Sequence, residues 1–193
     1  MNLELQNKVI LVSGGSKGIG LAISECLAQE GAIPFVVSRN LASLNEMQQS
    51  FNKKKWPLGT FQAELTQPEA CTATVKEVVK RFGRLEGLVN NAGVNDTVGL
   101  ENGNYKAFVA SLHRNVVHYY LLAQQALPYL KKTKGAIVNI GSKVATTGQG
   151  NTSGYAAANG GRNALTREWA LELLPYSIRV NAVIVAESFT PLY

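Results

Sequence analysis

Residues 8–13 (KVILVS) run straight into Gly14-Gly15-Ser16-Lys17-Gly18-Ile19-Gly20, and residues 21–30 then carry helical periodicity. This junction constrains the fold more than any other stretch. A short, unbroken apolar run suits a strand buried on both faces of a parallel sheet. The glycine turn and helix that follow aim backbone N–H groups and a helix N-terminus at one point, an arrangement suited to a phosphate. The spacing G-x-x-x-G-x-G differs from the general dinucleotide fingerprint, so its place between strand and helix carries the reading. Gly14, Ser16, Lys17, Gly18, Ile19 and Gly20 are therefore candidate phosphate-binding residues.

The same alternation continues down the chain. Residues 33–38 (IPFVVS) form a second apolar run, with Arg39 just past its end and no acid among residues 36–40. At about 20 residues past the glycine turn, an acid favours a free ribose hydroxyl and an arginine a 2′-phosphate. Arg39 and Lys17 therefore favour NADP(H) over NAD(H), the alternative being two ordinary surface cations. Residues 44–52 read as an amphipathic helix and residues 60–65 (TFQAEL) as a third strand. Glu64 and Leu65 at its end are placed at the cofactor; Glu64 could accept from an adenine amino group or cap the helix after Pro68. Residues 70–82 read as a helix and residues 85–89 as a fourth strand. Asn91, Ala92 and Gly93 at its carboxyl end permit close cofactor approach. Residues 105–130 give the longest helical pattern, with Asn115 in its middle; His113 and His118 on it read as structural. A fifth strand over 135–140, a helix over 155–174 and a sixth strand over 178–185 complete the series. The expected architecture is a three-layer α/β/α, Rossmann-like doubly wound parallel sheet in strand order 3-2-1-4-5-6.

Bulk composition narrows the class. With 193 residues, 46% hydrophobic, the chain supports one core and is expected to be a single domain over 1–193. The net charge of +6 is dispersed, and Lys53-Lys54-Lys55 lacks the aromatic interleaving of a nucleic-acid surface. Cys26 and Cys71 have no C-x-x-C spacing and read as buried free thiols. No metal-ligand set can be assembled. Without a signal peptide or a bilayer-length apolar run, a cytoplasmic protein with no membrane partner is expected.

The chemistry is concentrated in residues 139–165. Gly141-Ser142 ends the fifth apolar run, a glycine-rich loop follows, and Tyr155 opens the next helix. Two hydroxyls at the carboxyl end of a strand suit proton transfer to or from an alcohol or carbonyl.

The glycine turn, Asn90-Asn91-Ala92-Gly93, Asn115 and Ser142, thirteen residues before Tyr155, together resemble the short-chain dehydrogenase/reductase family over nearly the whole chain. Short stretches also resemble its sugar dehydrogenase branch, L-fucose dehydrogenases included. The resemblance implies Tyr155 as acid/base, Ser142 holding the substrate oxygen, Asn115 supporting a proton relay, and Thr190 near the nicotinamide carboxamide. It also implies a homo-oligomer, dimer or tetramer, formed through the long helices. Asn95, Gln149 and Glu187 are placed in the substrate pocket, the alternative being ordinary solvated loop residues. Two departures stand out. The family carries a lysine four residues after the tyrosine, where a cation favours the phenolate and bonds the ribose; here the position is Asn159, whose amide could still bond the ribose. The family also continues through a substrate lid and a seventh strand, whereas this sequence stops at Tyr193, either as a fragment or without the lid. The charge missing at Asn159 could come from the oxidised nicotinamide, Lys143 or Arg162, although Arg162 reads more simply as a surface or interface cation. Two functions stay open: an NAD(P)-dependent oxidoreductase on a small polar substrate, or a nucleotide sensor or scaffold with weakened catalysis.

Overall fold

A computed structural model of the chain describes residues 2–188. Six parallel strands form one sheet: β1 (Val9–Ser13), β2 (Ile33–Ser38), β3 (Gly59–Gln62), β4 (Gly87–Asn90), β5 (Ala136–Ser142) and β6 (Arg179–Val185), in the order β3-β2-β1-β4-β5-β6. Helices cover both faces: α1 (Gly18–Gln29), α2 (Leu41–Lys53), α3 (Pro68–Phe82), α4 (Tyr105–Leu112), α5 (His118–Thr133), the short α6 (Val144–Thr147) and α7 (Ser153–Glu172). The central strand shows why. Side chains alternate across a strand, so Val9 and Leu11 enter one core with Phe35, Val78, Tyr119 and Ile137, while Ile10 and Val12 enter another with Val36, Met47 and Phe51. Each such side chain contributes about 1.5–3 kcal/mol when fully buried.

Helix ends follow local chemistry. Asn40 and Asn104 accept from the third residue of α2 and α4, at 3.0 and 2.9 Å. The Pro68 ring begins α3, which Gly83 ends in a left-handed turn.

Four sequence expectations are corrected. The helix expected over 105–130 is interrupted by a π-helical turn, His113–Val117, centred on Asn115. Asn115 Nδ2 donates to Ser111 O at 3.0 Å, an amide competing with the regular helical ladder. Gly141 and Ser142 do not leave the sheet, because they pair in register with Ile184 and Val185. The third strand ends at Gln62, where the chain turns away and Thr66 N donates to Glu64 Oε1 at 3.2 Å. Cys26 is exposed, since α1 buries Gly20, Ser24 and Ala28 on its opposite face. Cys71 is buried, which pushes its thiol up to about 11. Among the described residues no helix is long and apolar enough to cross a membrane.

Candidate active site

The carboxyl ends of β1, β4 and β5 open toward the same edge of the sheet, and hydrogen bonds lace them together. Ser13 Oγ accepts from Asn91 N at 2.9 Å and Ala92 N at 3.1 Å. Asn91 Nδ2 returns two bonds, to Ser13 O at 3.0 Å and Gly14 O at 3.1 Å. The glycine turn is therefore held by the segment after β4. Gly14 and Gly18 take φ values of +64° and +52°, and a Cβ on Gly14 would lie 2.9 Å from Ala92 Cα. A Cβ on Gly20 would press on Gly14 O. Lys17 stands at the N-cap of α1 without a side-chain capping bond, so the first N–H groups of that helix are left for an anion. This close-packed backbone cradle, with a helix N-terminus behind it, fits the pyrophosphate of a dinucleotide. Ser16 offers the turn only its backbone, because its buried hydroxyl bonds Ser38 Oγ and Ser43 Oγ, each at 2.9 Å. Ile19 lies beside it on the first turn of α1, half-buried.

At the outer end of this edge Arg39 Nη1 meets Glu64 Oε2 at 3.5 Å, both side chains substantially exposed. Burial pushes the Glu64 carboxyl up, but hydrogen bonds from Thr66 N and Oγ1 and the Arg39 guanidinium outweigh it and hold the group below the usual carboxylate range. Glu64 thus braces its own turn rather than capping α3. Leu65 points its side chain into the core, leaving its backbone at the edge.

At the β5 end the site is built from side chains. Ser142 is the last residue of the strand, and Val144 N donates to its Oγ at 3.4 Å. The start of α7 is tied down by Gly154 N donating to Val98 O at 3.0 Å, which sets half-buried Tyr155 on the first turn. Asn115 is fully buried; Val94 N donates to its Oδ1 at 2.8 Å. The notable group is Arg162, 3% exposed rather than on the surface. Its Nε donates to Asn115 O at 2.6 Å, and its Nη1 donates to Ile140 O and Asn159 Oδ1, each at 3.0 Å. The guanidinium also lies over the Tyr119 ring, 4.3 Å from the centroid. A Cβ on Gly93 would come within 2.6 Å of Arg162 Nη2, so that glycine leaves room for the cation.

Asn159 lies one turn before Arg162 on α7. Its amide is fully buried and bonded at both ends, donating from Nδ2 to Tyr155 O at 2.9 Å and accepting from Arg162 at Oδ1. It braces the start of α7 against Arg162. The phenol of Tyr119 donates to Ile140 O at 3.2 Å and is pushed up to about 12 by burial, with Arg162 opposing and Tyr155 adding to the rise. Burial and Arg162 together push His118 down to about 4, against the hydrogen bond to Arg114 O.

The expected substrate-side residues are less convergent. Asn95 is exposed, with its Oδ1 accepting from Thr97 N at 3.2 Å. Gln149 is exposed between Gly148 and Gly150, both at positive φ. Glu187 pairs with Lys143 at 2.5 Å, and the Lys143 hydrogen bond lowers its carboxyl below the ordinary range. Thr190 lies outside the described residues. Among those described, no cluster of His, Cys, Asp or Glu could hold a metal. Of the three charge sources weighed in the sequence, Arg162, read more simply as a surface or interface cation, is the one that is buried; its spacing from Asn159 and Thr166 along one helix face was the available signal.

Known proteins share this layout. A family model described as short chain dehydrogenase matches residues 8–192. L-fucose dehydrogenase of Rattus norvegicus is 35% identical over 189 residues, covering 96% of this chain and 68% of the rat protein. The crystal structure of Cj0485 dehydrogenase is 39% identical with a TM-score of 0.92, covering 100% of this chain and 74% of that one. The crystal structure of NAD+-bound xylitol dehydrogenase is 31% identical with a TM-score of 0.90, covering 95% and 71% respectively.

Proposed function

Since the chain belongs to the short chain dehydrogenase family, we propose that it is an NADP(H)-preferring enzyme interconverting a hydroxyl and a carbonyl on a small polar substrate, with sugars and polyols the favoured class. What supports this is the place of Ser142 at the end of β5 and of Tyr155 on the first turn of α7, in the same parallel sheet whose β1 end carries the glycine cradle. The cradle residues Gly14, Gly18 and Gly20, with Asn91, Ala92 and Gly93, would hold the dinucleotide. When bound, its nicotinamide accepts or supplies the hydride. In the oxidative direction the Tyr155 oxygen takes the proton of the substrate hydroxyl, while the Ser142 hydroxyl donates to the substrate oxygen and orients it. In the reductive direction Tyr155 returns that proton to the forming alkoxide. Asn115 holds the segment after β4 against the site through Val94 N.

Sugar specificity is supported by the fucose and xylitol dehydrogenase relatives and by hydroxyl-bonding candidates at the rim, Asn95, Gln149 and Glu187. The preference for a 2′-phosphate rests on Arg39 and Lys17 with no acid among residues 36–40. A homo-oligomer is supported by large exposed apolar side chains on two helices, Tyr105 and Phe108 on α4 and Leu171 on α7. One observation favours a second reading, a nucleotide sensor: the neutral, internally bonded Asn159. The test joins nicotinamide fluorescence titrations to turnover assays on L-fucose, other aldoses, polyols and simple ketones. Tighter binding of NADPH than NADH with turnover on a polyhydroxy substrate is expected. Tight binding without turnover on any of them overturns the enzyme in favour of the sensor.

A further inference from the structure

We infer that Asp96 is a positioning residue of the reaction site: its carboxylate, held by Arg114 and Ser111, fixes the segment after β4 that carries Asn95 and ties it to the start of α7. That role rests on the proposed reading of Tyr155, on the first turn of α7, as the proton-exchanging group. The Asp96 side chain is only 12% exposed. Its Oδ2 accepts from Arg114 Nε at 3.0 Å and Nη2 at 2.6 Å, and its Oδ1 accepts from Ser111 Oγ at 2.8 Å. Three bonds on one carboxylate, two of them from a guanidinium fork, fix its position and its direction. Both partners belong to the framework of the site. Arg114 stands in the π-helical turn beside Asn115, and Ser111 is fully buried on α4. Ser111 also touches α7: a Cβ on Gly154, in the first turn of that helix, would lie 2.7 Å from Ser111 Cβ and Oγ. Two residues after Asp96 the chain makes the same connection again, with Val98 O accepting from Gly154 N at 3.0 Å. Asp96 therefore reaches the residue before Tyr155 by two routes, one through Ser111 and one through Val98.

The segment needs such an anchor. Asn95, Thr97, Leu100, Glu101 and Asn102 are exposed, so apolar burial does little to set its path. Thr97 has a φ of +54°, a conformation that a β-branched residue keeps only where its surroundings impose it. Thr97 N donates to Asn95 Oδ1 and Thr97 O accepts from Asn102 Nδ2, each at 3.2 Å, while Gly99 N donates to Asn102 Oδ1 at 2.8 Å. These bonds close the loop on itself. The bonds that fasten it to the helices are Val94 N to Asn115 Oδ1 at one end, Gly154 N to Val98 O at the other, and the Asp96 carboxylate between them. A strained loop held at its middle by a charge pair keeps Asn95 and the start of α7 at a fixed separation, so little ordering is left for substrate binding to impose.

The test compares wild type, Asp96→Asn, Arg114→Met and the double variant in the full chain. Amide hydrogen exchange reads the anchor without turnover, NADPH fluorescence titration reads the cradle, and steady-state kinetics use whichever aldose, polyol or ketone wild type turns over best. Asp96→Asn keeps an oxygen for Ser111 and removes the charge that Arg114 meets. Exchange at Gly154 N–H should quicken by about tenfold or more, although its acceptor Val98 O is untouched. The value of kcat/KM should fall about 10- to 100-fold, with the NADPH dissociation constant within about twofold of wild type. The double variant should lose no more than the larger single loss, because both substitutions break one contact. Should Asp96→Asn not fold, Arg114→Met and Ser111→Ala carry the same readouts, with Ser111→Ala, which keeps the ion pair, the milder. Quicker exchange confined to residues 94–102, with Gly154 N–H and kcat/KM unchanged in folded protein, overturns the inference, and so do losses that add in the double variant. Turnover that Asp96→Asn leaves intact overturns this inference alone. Quicker Gly154 exchange in the variants, with no turnover by wild type on any substrate, bears out the anchor and overturns only the enzyme reading.

Discussion

At the β1 end of the sheet the site is made of backbone, with Gly14 and Gly18 at positive φ, uncapped α1 N–H groups and Asn91 amide bonds to main-chain carbonyls. At the β5 end it is made of side chains ordered around one buried cation, with Asn115, Asn159 and Tyr119 packed on Arg162. The difference follows from what each end must recognise. A pyrophosphate is met by many weak dipoles at close range, which tolerate side chains only where they do not intrude. A hydroxyl that exchanges a proton with a substrate must be held in position, and the side chains that hold it need fixed partners of their own. If the two ends are as separable as they look, each can be damaged without the other.

The largest effect expected is from Tyr155→Phe. It should reduce kcat by about 1,000-fold, within the range for loss of a positioned acid/base group, while leaving the NADPH dissociation constant within about twofold. Steady-state kinetics with fluorescence titration measures both. A parallel loss of NADPH affinity would break the comparison, since the phenol would then be part of the cofactor site.

Acid should act on the β5 end. Both histidines lie in the α4–α5 region, and His118 is buried with its folded-state pKa lowered from 6.5 to about 4. The unfolded chain therefore binds the extra proton first, so stability falls as pH drops from 6.5 toward 4, by at most about 3 kcal/mol in total. Above pH 6.5 this group contributes no slope. Urea unfolding of wild type and His118→Gln across that window should show the slope reduced in the variant; equal slopes would remove His118 as the cause.

The converse damage is Gly14→Ala. A positive φ of 64° and a Cβ at 2.9 Å from Ala92 Cα predict a loss of about 1–2 kcal/mol in stability. NADPH affinity should fall about tenfold, roughly 1.4 kcal/mol, with kcat at saturating cofactor nearly unchanged. A large fall in kcat would show that the cradle also sets the chemistry.

The two ends were not equally legible in the sequence. Apart from its Asn91 brace, 77 residues on from Gly14, the cradle end lies in contiguous chain from β1 through α1, where a strand buried on both faces, a glycine turn and an uncapped helix each leave a local mark. The order of the sheet and the strands β1 and β2 followed from the same apolar runs. At the β5 end the deciding contacts join distant segments: Arg162 meets Asn115 across 47 residues and Ile140 across 22. No local pattern encodes such a partner, and an arginine in a helix is ordinarily solvated. The π-helical turn was hidden for a related reason, because one extra residue per turn over His113–Val117 barely alters an apolar periodicity. Cys26 shows the opposite failure: α1 packs through Gly20, Ser24 and Ala28, small residues that leave no hydrophobic stripe to mark the buried face.

The smallest effect sharpens the outer limit of the cradle. Arg39 is well exposed and its contact with Glu64 is long at 3.5 Å, so the pair is screened and weak, and an entering 2′-phosphate needs only to outcompete one solvated carboxylate. Arg39→Ala should therefore weaken NADPH about three- to tenfold, no more than about 1.4 kcal/mol, and leave NADH within about twofold. Glu64→Gln should act in the other direction, releasing Arg39 and raising the preference for NADPH, most clearly at low ionic strength. Paired fluorescence titrations of both nucleotides in low and high salt distinguish these outcomes. Should Arg39→Ala weaken NADH as much as NADPH, Arg39 contacts something common to both nucleotides, and the 2′-phosphate preference has no support at this position.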